Sequence, residues 1–400
     1  MTIRLRTRTA VITLTTLALL ATPTVTAHAL PGPPATPAAS AAALELPRPT
    51  GPYAVGAEVL HLTDHTRTDP WVPASGDREL MVSMHYPARP GGGSGPAPYM
   101  SAEEARLLLA HRGLDGIVPA GVVSSTSTHA RADARAARGR FPLVLLSPGF
   151  GTPRTTLTSL AEDLASRGFV VASVDHAYES TGTAFPGGRM LTCAACDAAE
   201  AAPDEAAERD VLKAVSTGRA DDLTFVLDRL TGPRPAWERS RMIDRRRVAA
   251  AGHSIGGSAA ASTMLADSRV GAGINMDGTF FDPVPRSGIG ARPFLMLGTD
   301  AGHRPGSADG SWDEGWQHLD GWKRWLTVKD SGHFTFTDIP ELGEQLGLPV
   351  DPAATLSGDR STRITRDYVA AFLDLHLRGR EQPLLDGPAP DYPEVVLQHP

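Results

Sequence analysis

Cysteine is scarce in this chain: only two, Cys193 and Cys196, occur among 400 residues. A zinc site would need two further ligands, and none is evident near this Cys-x-x-Cys pair. A thiol redox function is also disfavoured, because the pair lies in a polar segment and not at a helix start after an early strand. In an exported protein, a local disulfide that shapes the segment around it is expected.

The N-terminus lacks an apolar run long enough to cross a bilayer, which takes about 20 residues. Arginines at positions 4, 6 and 8 precede a shorter apolar run, residues 10–21, and residues 27–29 are Ala-His-Ala. This pattern predicts a secretory signal peptide over residues 1–29, with a retained membrane anchor as the alternative. No cysteine lies at the predicted mature N-terminus, directly after the cleavage site, which argues against a lipid anchor. We expect a secreted, extracellular protein without a stable membrane span.

The chain also has no excess of positive charge. The chain has 38 Lys and Arg against 45 Asp and Glu, a formal net charge of −7, and the predicted signal peptide holds three of the arginines. This balance does not suggest a nucleic-acid partner. No acidic cluster demands a metal ion, and we predict neither a metal nor a cofactor.

The organisation of the chain predicts a single folded domain after a leader. Residues 30–50, rich in Pro and Ala and almost uncharged, predict a flexible leader, and residues 51–400 the domain. Strand-length apolar runs occupy residues 80–86, 141–147, 169–174, 248–251, 272–276, 293–297 and 325–328, and helical spacing marks residues 157–164, 223–230, 258–266 and 368–375. Such alternation is typical of an α/β fold with a mostly parallel sheet and helices on both faces.

Two segments interrupt this alternation, residues 91–139 and 177–218. The first contains a capping box, Ser101 to Glu104, which predicts a short helix through Leu109. We expect both segments to be insertions near a functional site.

The pattern G-x-S-x-G occurs at residues 252–257, between a predicted strand and a predicted helix. This is the setting of a nucleophile on a sharp turn, where side chains in place of the glycines would collide with the neighbouring strand or helix. The pattern predicts an α/β-hydrolase with Ser254 as nucleophile. A glycine-rich helix start without chemistry is the alternative.

A serine hydroxyl needs a histidine base, which an aspartate must orient. His333 follows a strand-like run near the end of the predicted sheet, whereas the competing His303 and His318 do not. Asp277 and Asp300 each end a strand-like run, and the pattern alone leaves them nearly even.

Acyl transfer also needs two N–H groups aimed at the developing oxyanion. Ile255, the residue after the nucleophile, supplies the first by its position. Phe150, in the glycine-rich loop 147–151 after a strand, is the second candidate. An ordinary strand-to-helix turn is the alternative interpretation of that loop.

Taken together, these motifs resemble the plasma and intracellular type II platelet-activating factor acetylhydrolases and the bacterial lipases and esterases grouped with them. The resembling positions are residues 147–151, Arg154, residues 163–171, Asp175, His176, residues 252–257, Asp277 and His333, within a match that runs from about Met81 to Phe336. The resemblance implies an α/β-hydrolase fold, calcium-independent chemistry, and Asp277 as the acid at the end of the strand after the nucleophile.

One position departs from the family pattern. Pro148 stands where the eukaryotic members have histidine, and S-P-G-[FY] is also similar to bacterial cutinases and polyester hydrolases. We therefore expect a serine carboxylic-ester hydrolase that acts through an acyl-enzyme on lipid esters with short or oxidised acyl chains, with a polyester hydrolase as the alternative. A non-catalytic α/β-hydrolase that binds a ligand is the third hypothesis. The expected partner is a small-molecule or lipid ester, with a lipid or polymer surface as a possible setting, and the sequence predicts no particular oligomeric state.

Overall fold

The computed structural model of the chain describes residues 43–351 and 353–398. The predicted signal peptide, residues 1–29, and residues 30–42 of the predicted leader lie outside the described residues. The last part of that leader differs from the expected flexible segment. Leu44 and Leu46 are buried, and the Leu46 N–H donates to Ser127 O at 2.9 Å. These two leucines join an apolar cluster with residues of the first insertion and with Leu342, which explains why this stretch is packed.

Strands and helices alternate along most of the chain. The strands are β1 Ala54–Thr68, β2 Asp77–Ala88, β3 Gly95–Pro96, β4 Arg131–Ala132, β5 Phe141–Ser147, β6 Val170–His176, β7 Thr183–Phe185, β8 Arg189–Leu191, β9 Ile243–His253, β10 Ala272–Met276, β11 Phe294–Thr299, β12 Lys323–Val328 and β13 Val395–Gln398. The helices are α1 Ala102–His111, α2 Ala120–Ser124, α3 Thr158–Ser166, α4 Ala194–Glu200, α5 Glu205–Thr231, α6 Ile255–Ala266, α7 Asp300–His303, α8 Ser311–His318, α9 Ile339–Gln345 and α10 Gly358–Arg378.

The main sheet of the described residues has the strand order β13-β12-β11-β10-β9-β5-β6-β2-β1-β4-β3. Six neighbouring strands, β12 to β6 in this order, run parallel. β2 pairs antiparallel with β6 and with β1, and β13 pairs antiparallel with β12. Because parallel strands share one carboxyl edge, the loops after β5, β9, β10 and β12 all leave the sheet at that edge.

Helices cover both faces of the parallel strands. In β5, Leu143 and Leu145 belong to an apolar cluster with residues of α5 and α6. Val144 and Leu146 alternate with them and belong to a second cluster with residues of α3 and α10. Alternate side chains of a strand point to opposite faces, so continuous apolar runs such as FPLVLLS are buried on both sides. The predicted α/β-hydrolase fold, with a mostly parallel sheet and helices on both faces, is confirmed.

The two predicted insertions carry their own secondary structure. Residues 91–139 contain β3, α1, α2 and β4, and the capping box at the start of α1 forms as predicted between Ser101 and Glu104. Residues 177–218 contain β7, β8, α4 and the first half of α5. None of the described helices combines the length and the apolar character needed to span a membrane.

Candidate active site

Ser254 lies at the sharp turn between β9 and α6, with φ 55° and ψ −131°. This is the left-handed region, which a non-glycine residue adopts only where the surroundings enforce it. The glycines on either side permit the turn. A Cβ on Gly252 would lie 2.3 Å from the Gly256 carbonyl carbon, and a Cβ on Gly256 would lie 2.2 Å from Ser147 O. The turn leaves Ser254 partly exposed at the carboxyl edge of the sheet.

Three side chains predicted from the sequence form one hydrogen-bonded chain at this edge. His333, in a single 3-10 turn after β12, has its Nε2 atom 3.0 Å from Ser254 Oγ. Its Nδ1 atom lies 2.6 Å from Asp277 Oδ2, at the end of β10. The Nδ1–H donates to the carboxylate, which leaves Nε2 free to accept the serine proton.

The competing residues lie elsewhere or make other contacts. Asp300 accepts a hydrogen bond from Thr327 Oγ1 at 2.8 Å, and His318 Nδ1 contacts Val284 O at 2.7 Å. His303, however, contacts Asp277: its Nδ1 atom lies 2.7 Å from Asp277 Oδ1. Burial opposes the charge of Asp277. The hydrogen bonds from both histidines outweigh this effect and hold the pKa of the Asp277 carboxyl well below its usual range.

The contact between a second histidine and Asp277 was not predicted from the sequence. His303 is 26 positions away along the chain, and no local motif marks the pair. In the structure, His303 lies four residues after the end of β11, where the loop shares the carboxyl edge with the loop after β10.

His253, next to Ser254, supports the loop that carries His333. It is fully buried, and its Nε2–H donates to His333 O at 2.7 Å. Burial, helped by the nearby His333, lowers the pKa of His253 to about 3. A neutral His253 therefore acts as a hydrogen-bond donor to the loop and does not compete for the serine proton.

The two predicted oxyanion donors flank Ser254 from different elements. Ile255 is the first residue of α6, so its N–H has no acceptor within the helix. Phe150 lies in the loop after β5, and its N–H has no hydrogen-bond acceptor within the part of the chain that the structure describes. Gly149 is required in this loop, because a Cβ there would lie 2.9 Å from His253 Nδ1.

A buried network of charged groups lies beneath this loop. Arg219 of α5 donates to Pro148 O at 2.5 Å and to Glu179 Oε2 at 2.7 Å. Glu179 also accepts the Gly151 N–H on its backbone oxygen at 3.0 Å. The buried Arg78 bridges Glu179 and Asp222, both at 2.7 Å. The Arg219–Glu179 ion pair thus holds the loop that carries Phe150, and Arg78 joins this pair to Asp222.

The same network contains a second Ser-His-Asp set. His176 Nε2 lies 3.1 Å from Ser147 Oγ, and His176 Nδ1 lies 2.8 Å from Asp222 Oδ2. Ser147 is wholly buried and also accepts a hydrogen bond from Arg219. Burial, together with the charge of Arg219, lowers the pKa of His176. This set is closed to substrate, and it braces the strand end that leads into the oxyanion loop.

Both insertions contribute to the surroundings of Ser254. The Cys193–Cys196 disulfide predicted from the sequence is present, and these cysteines form an apolar cluster with Ile255, Phe150 and Phe281. A Cβ on Gly151 would lie 3.6 Å from Cys196 Sγ and 3.8 Å from His111 Nε2, at the end of α1. The walls around the candidate oxyanion hole are therefore largely apolar and are drawn from both insertions.

Metal ligands do not converge at this site. Among residues 43–351 and 353–398, no three His, Cys, Asp or Glu side chains are arranged to hold a metal ion. The geometry itself is suited to attack by a serine oxygen, with a base within hydrogen-bond distance and two N–H donors nearby.

Comparisons with a family model and with individual proteins indicate the same family. The family model described as "Platelet-activating factor acetylhydrolase, isoform II" matches residues 38–186. A protein of Arthroderma benhamiae named "Probable 1-alkyl-2-acetylglycerophosphocholine esterase" is 30% identical over 381 residues, which cover 88% of this chain and 93% of that protein. The "Platelet-activating factor acetylhydrolase" of Canis lupus familiaris is 23% identical over 376 residues, covering 85% of this chain and 79% of that protein.

A solved structure is also similar to this chain. The ferulic acid esterase from Streptomyces cinnamoneus is 45% identical and superposes with a TM-score of 0.77. The match covers 89% of this chain and 99% of that one.

Proposed function

Because the chain belongs to the isoform II family of platelet-activating factor acetylhydrolases and is a carboxylic-ester hydrolase, we propose that it cleaves its substrates through an acyl-enzyme on Ser254. The observation that carries this proposal is the unbroken hydrogen-bonded chain from Ser254 Oγ through His333 to Asp277. The exposed position of the serine at the carboxyl edge of the sheet supports it, since ligands bind at that edge in such folds.

In the first half-reaction, Ser254 Oγ bonds to the acyl carbon while His333 Nε2 takes the hydroxyl proton. The Phe150 and Ile255 N–H groups stabilise the negative charge that develops on the carbonyl oxygen. His333 then returns its proton to the leaving alcohol oxygen as the ester C–O bond breaks. In the second half-reaction, His333 Nε2 takes a proton from water as the water oxygen bonds to the acyl carbon. The bond between that carbon and Ser254 Oγ then breaks, and His333 returns the proton to Oγ, which releases the acid and the free serine.

The Ser254→Ala variant tests this mechanism. We expect the esterase rate to fall by about 10³-fold or more, because the acyl-enzyme cannot form. An organophosphonate should label the wild type once, at Ser254. Ser125→Ala is a matched control, since it removes an exposed hydroxyl that contacts only Val122 O. Labelling at another residue, with Ser254→Ala still active, would rule out the proposed nucleophile.

For the substrate, we propose lipid esters with short or oxidised acyl chains. The apolar walls formed by Phe150, Ile255 and Phe281 suit a compact acyl group, and the A. benhamiae relative is named as an esterase of an acetylated glycerophosphocholine. The second candidate is an ester of a hydroxycinnamic acid, which the 45% identity to the ferulic acid esterase favours.

Measuring kcat/KM for an acetylated glycerophospholipid, methyl ferulate and a polyester film, side by side, decides between these substrates. We expect the acetylated lipid to be preferred. A higher kcat/KM for methyl ferulate would establish the second candidate, and release of soluble products from the film alone would identify a polyester hydrolase.

We further propose that the protein is exported and loses residues 1–29. The disulfide between Cys193 and Cys196 is compatible with an oxidising compartment. N-terminal sequencing of protein recovered from the culture medium should begin at Leu30. Recovery of the full-length chain in the cell pellet would contradict export.

A further inference from the structure

His303 is a buried histidine whose two ring nitrogens both face carboxylates. Its Nδ1 atom lies 2.7 Å from Asp277 Oδ1, and its Nε2 atom lies 3.1 Å from Asp309 Oδ2. The ring is stacked on Trp312, with centroids 4.3 Å apart and planes inclined by 24°. The Trp325 indole N–H fixes the His303 backbone by donating to its carbonyl oxygen at 2.7 Å.

This geometry defines the protonation state of the ring. A neutral imidazole donates from only one nitrogen, whereas two ionised carboxylates each require a donor. Both nitrogens of His303 therefore carry protons. Although burial opposes the charge, the hydrogen bonds to Asp277 and Asp309 raise the pKa of His303 to about 9. Stacking on Trp312 also favours the cation.

Asp309 is itself fixed. It accepts hydrogen bonds from Thr279 Oγ1 at 2.7 Å and from the Ser311 N–H at 3.0 Å. Thr279 lies two positions after Asp277, so the contacts run from Asp277 through His303 and Asp309 back to the loop that Asp277 begins. The imidazolium is held in a closed ring of contacts.

The contact also divides the two oxygens of Asp277 between different partners. Oδ1 accepts hydrogen bonds from His303 and from the Thr299 N–H at 2.7 Å, while Oδ2 accepts a hydrogen bond from His333. With Oδ1 held by two donors, the carboxylate cannot rotate away from His333. Its negative charge is also shared with a fixed cation on the side opposite to His333.

We propose that His303 is a permanently protonated positioning residue, which holds the triad acid Asp277 in place and weakens the hold of that carboxylate on the proton of His333. This inference rests on the proposed function of Ser254, His333 and Asp277. It adds a second histidine, His303, and a second aspartate, Asp309, to the groups that determine the basicity of His333.

The direction of the effect on the pH profile follows from charge. The acid limb of kcat/KM reports the proton that the general base of the free enzyme must lose. The charged groups facing His303 are Asp277 and Asp309, and the titratable groups facing His333 are Asp277 and the neutral His253. Without the His303 cation, Asp277 attracts the His333 proton more strongly. The acid limb should then move to higher pH by about one unit, the low end of what a neighbouring charge produces.

Two variants separate the charge of His303 from its hydrogen bond. His303→Asn keeps an N–H donor near the position of Nδ1 but carries no charge. His303→Leu removes both. We expect both variants to shift the acid limb upwards. Only His303→Leu should also lose kcat, by roughly 10- to 100-fold, because Asp277 is then free to move.

A third variant and a control complete the experiment. In Asp309→Asn, His303 loses one of its two carboxylates, which makes its cation less favoured, so an upward shift of the acid limb is expected here too, smaller than in His303→Asn. His376→Asn is the matched control, since this histidine lies on α10 against Trp322 and has no contact with the site. Its acid limb should coincide with that of the wild type.

Ester hydrolysis by the wild type and its absence in Ser254→Ala test the catalytic serine separately. The proposal for His303 is overturned if the acid limb of active His303→Asn coincides with that of the wild type. It is equally overturned if His303→Leu loses thermal stability and kcat together while the acid limb of both His303 variants stays unchanged. Organophosphonate titration gives the fraction of folded, competent enzyme in each sample, so a folding defect is not mistaken for a change in chemistry.

Discussion

At the scale of single residues, Asp277 is the side chain of the candidate site to which several other groups donate hydrogen bonds. It is almost completely buried, it adopts φ 57°, and it accepts hydrogen bonds from His333, His303 and the Thr299 N–H. A buried carboxylate with this many donors stays ionised, which is what a residue that stabilises an imidazolium requires.

Asp277→Asn and Asp300→Asn test which aspartate orients the base. An amide at position 277 favours the wrong histidine tautomer and cannot stabilise the imidazolium, so we expect kcat to fall by up to about 10⁴-fold. Asp300→Asn should stay near wild type, because Asp300 contacts Thr327 and not His333. Steady-state kinetics of both variants on one nitrophenyl ester measures the difference. If Asp300→Asn lost activity while Asp277→Asn remained active, Asp300 and not Asp277 would be the residue that orients the base.

Gly256→Ala probes the packing of the turn that carries Ser254, the proposed nucleophile. The added Cβ would lie 2.2 Å from Ser147 O and 2.6 Å from Pro148 O, both backbone atoms. We expect a loss of stability of several kcal/mol, of the order found for overpacked sites, together with loss of activity. Gly218→Ala is the control, because its Cβ meets nothing within 4 Å inside α5. It should stabilise the helix by about 1 kcal/mol, and denaturant unfolding of both variants measures the difference.

Local sequence was sufficient for some residues of the site and not for others. Ser254 and Ile255 follow from one motif, because the turn that exposes a nucleophile imposes its glycines within a few positions. The choice of Asp277 over Asp300 needed the family resemblance. His303 and Arg219 carry no local signature, since the groups they hold are brought to them only when the sheet assembles.

At the scale of secondary-structure elements, buried strands were the most predictable. The predicted bounds of β5, residues 141–147, and of β10, residues 272–276, agree with the structure, because both strands are continuous apolar runs. β1, residues 54–68, was not predicted. It mixes buried and exposed positions and carries several charged residues, and its pairing with β2 depends on contacts that a local pattern does not show.

The N-terminus of α3 depends on a single buried carboxylate. Asp338 accepts hydrogen bonds from the Thr158 and Ser159 N–H groups at 3.0 and 3.1 Å, and from Tyr99 Oη at 3.3 Å. Burial raises the pKa of Asp338 to about 7, because the effect of burial outweighs that of these hydrogen bonds. The folded protein therefore favours the protonated form of Asp338 more than the unfolded chain does.

This raised pKa predicts a pH dependence of stability. A carboxyl group with a higher pKa in the folded than in the unfolded state contributes stability below about pH 4, and that contribution is lost as the pH rises through about 7. Asp338→Asn removes the titration and keeps an acceptor. We expect the free energy of unfolding of the variant, relative to the wild type, to increase between pH 4 and pH 8 in urea titrations. A constant difference across this range would contradict the assignment.

At the scale of the whole molecule, residues 91–139 and 177–218 bring material from two separate parts of the chain to the carboxyl edge of the sheet. His111, Cys196 and the cluster around Ile255 lie close to the oxyanion loop. We therefore expect the two insertions to restrict the length of a bound acyl group.

A series of nitrophenyl esters from acetyl to palmitoyl measures that restriction. Each further methylene adds at most about 0.8 kcal/mol of binding where the pocket continues, and a steric penalty where it ends. We expect kcat/KM to fall sharply once the acyl chain is longer than the pocket, and we expect this limit to lie below about eight carbons. A steady rise to the longest chain would indicate an open groove of the lipase type.

The ion pairs beneath the oxyanion loop have a consequence for the energetics of turnover. Arg219 and Glu179 hold the loop through Pro148 O and the Gly151 N–H before any ester arrives. The N–H group of Phe150, which we propose as an oxyanion donor, is thus oriented when the protein folds, whereas water would have to reorient around the same charge in every reaction. The reorganisation energy is a single cost of folding, and each turnover proceeds in an environment that is already polarised.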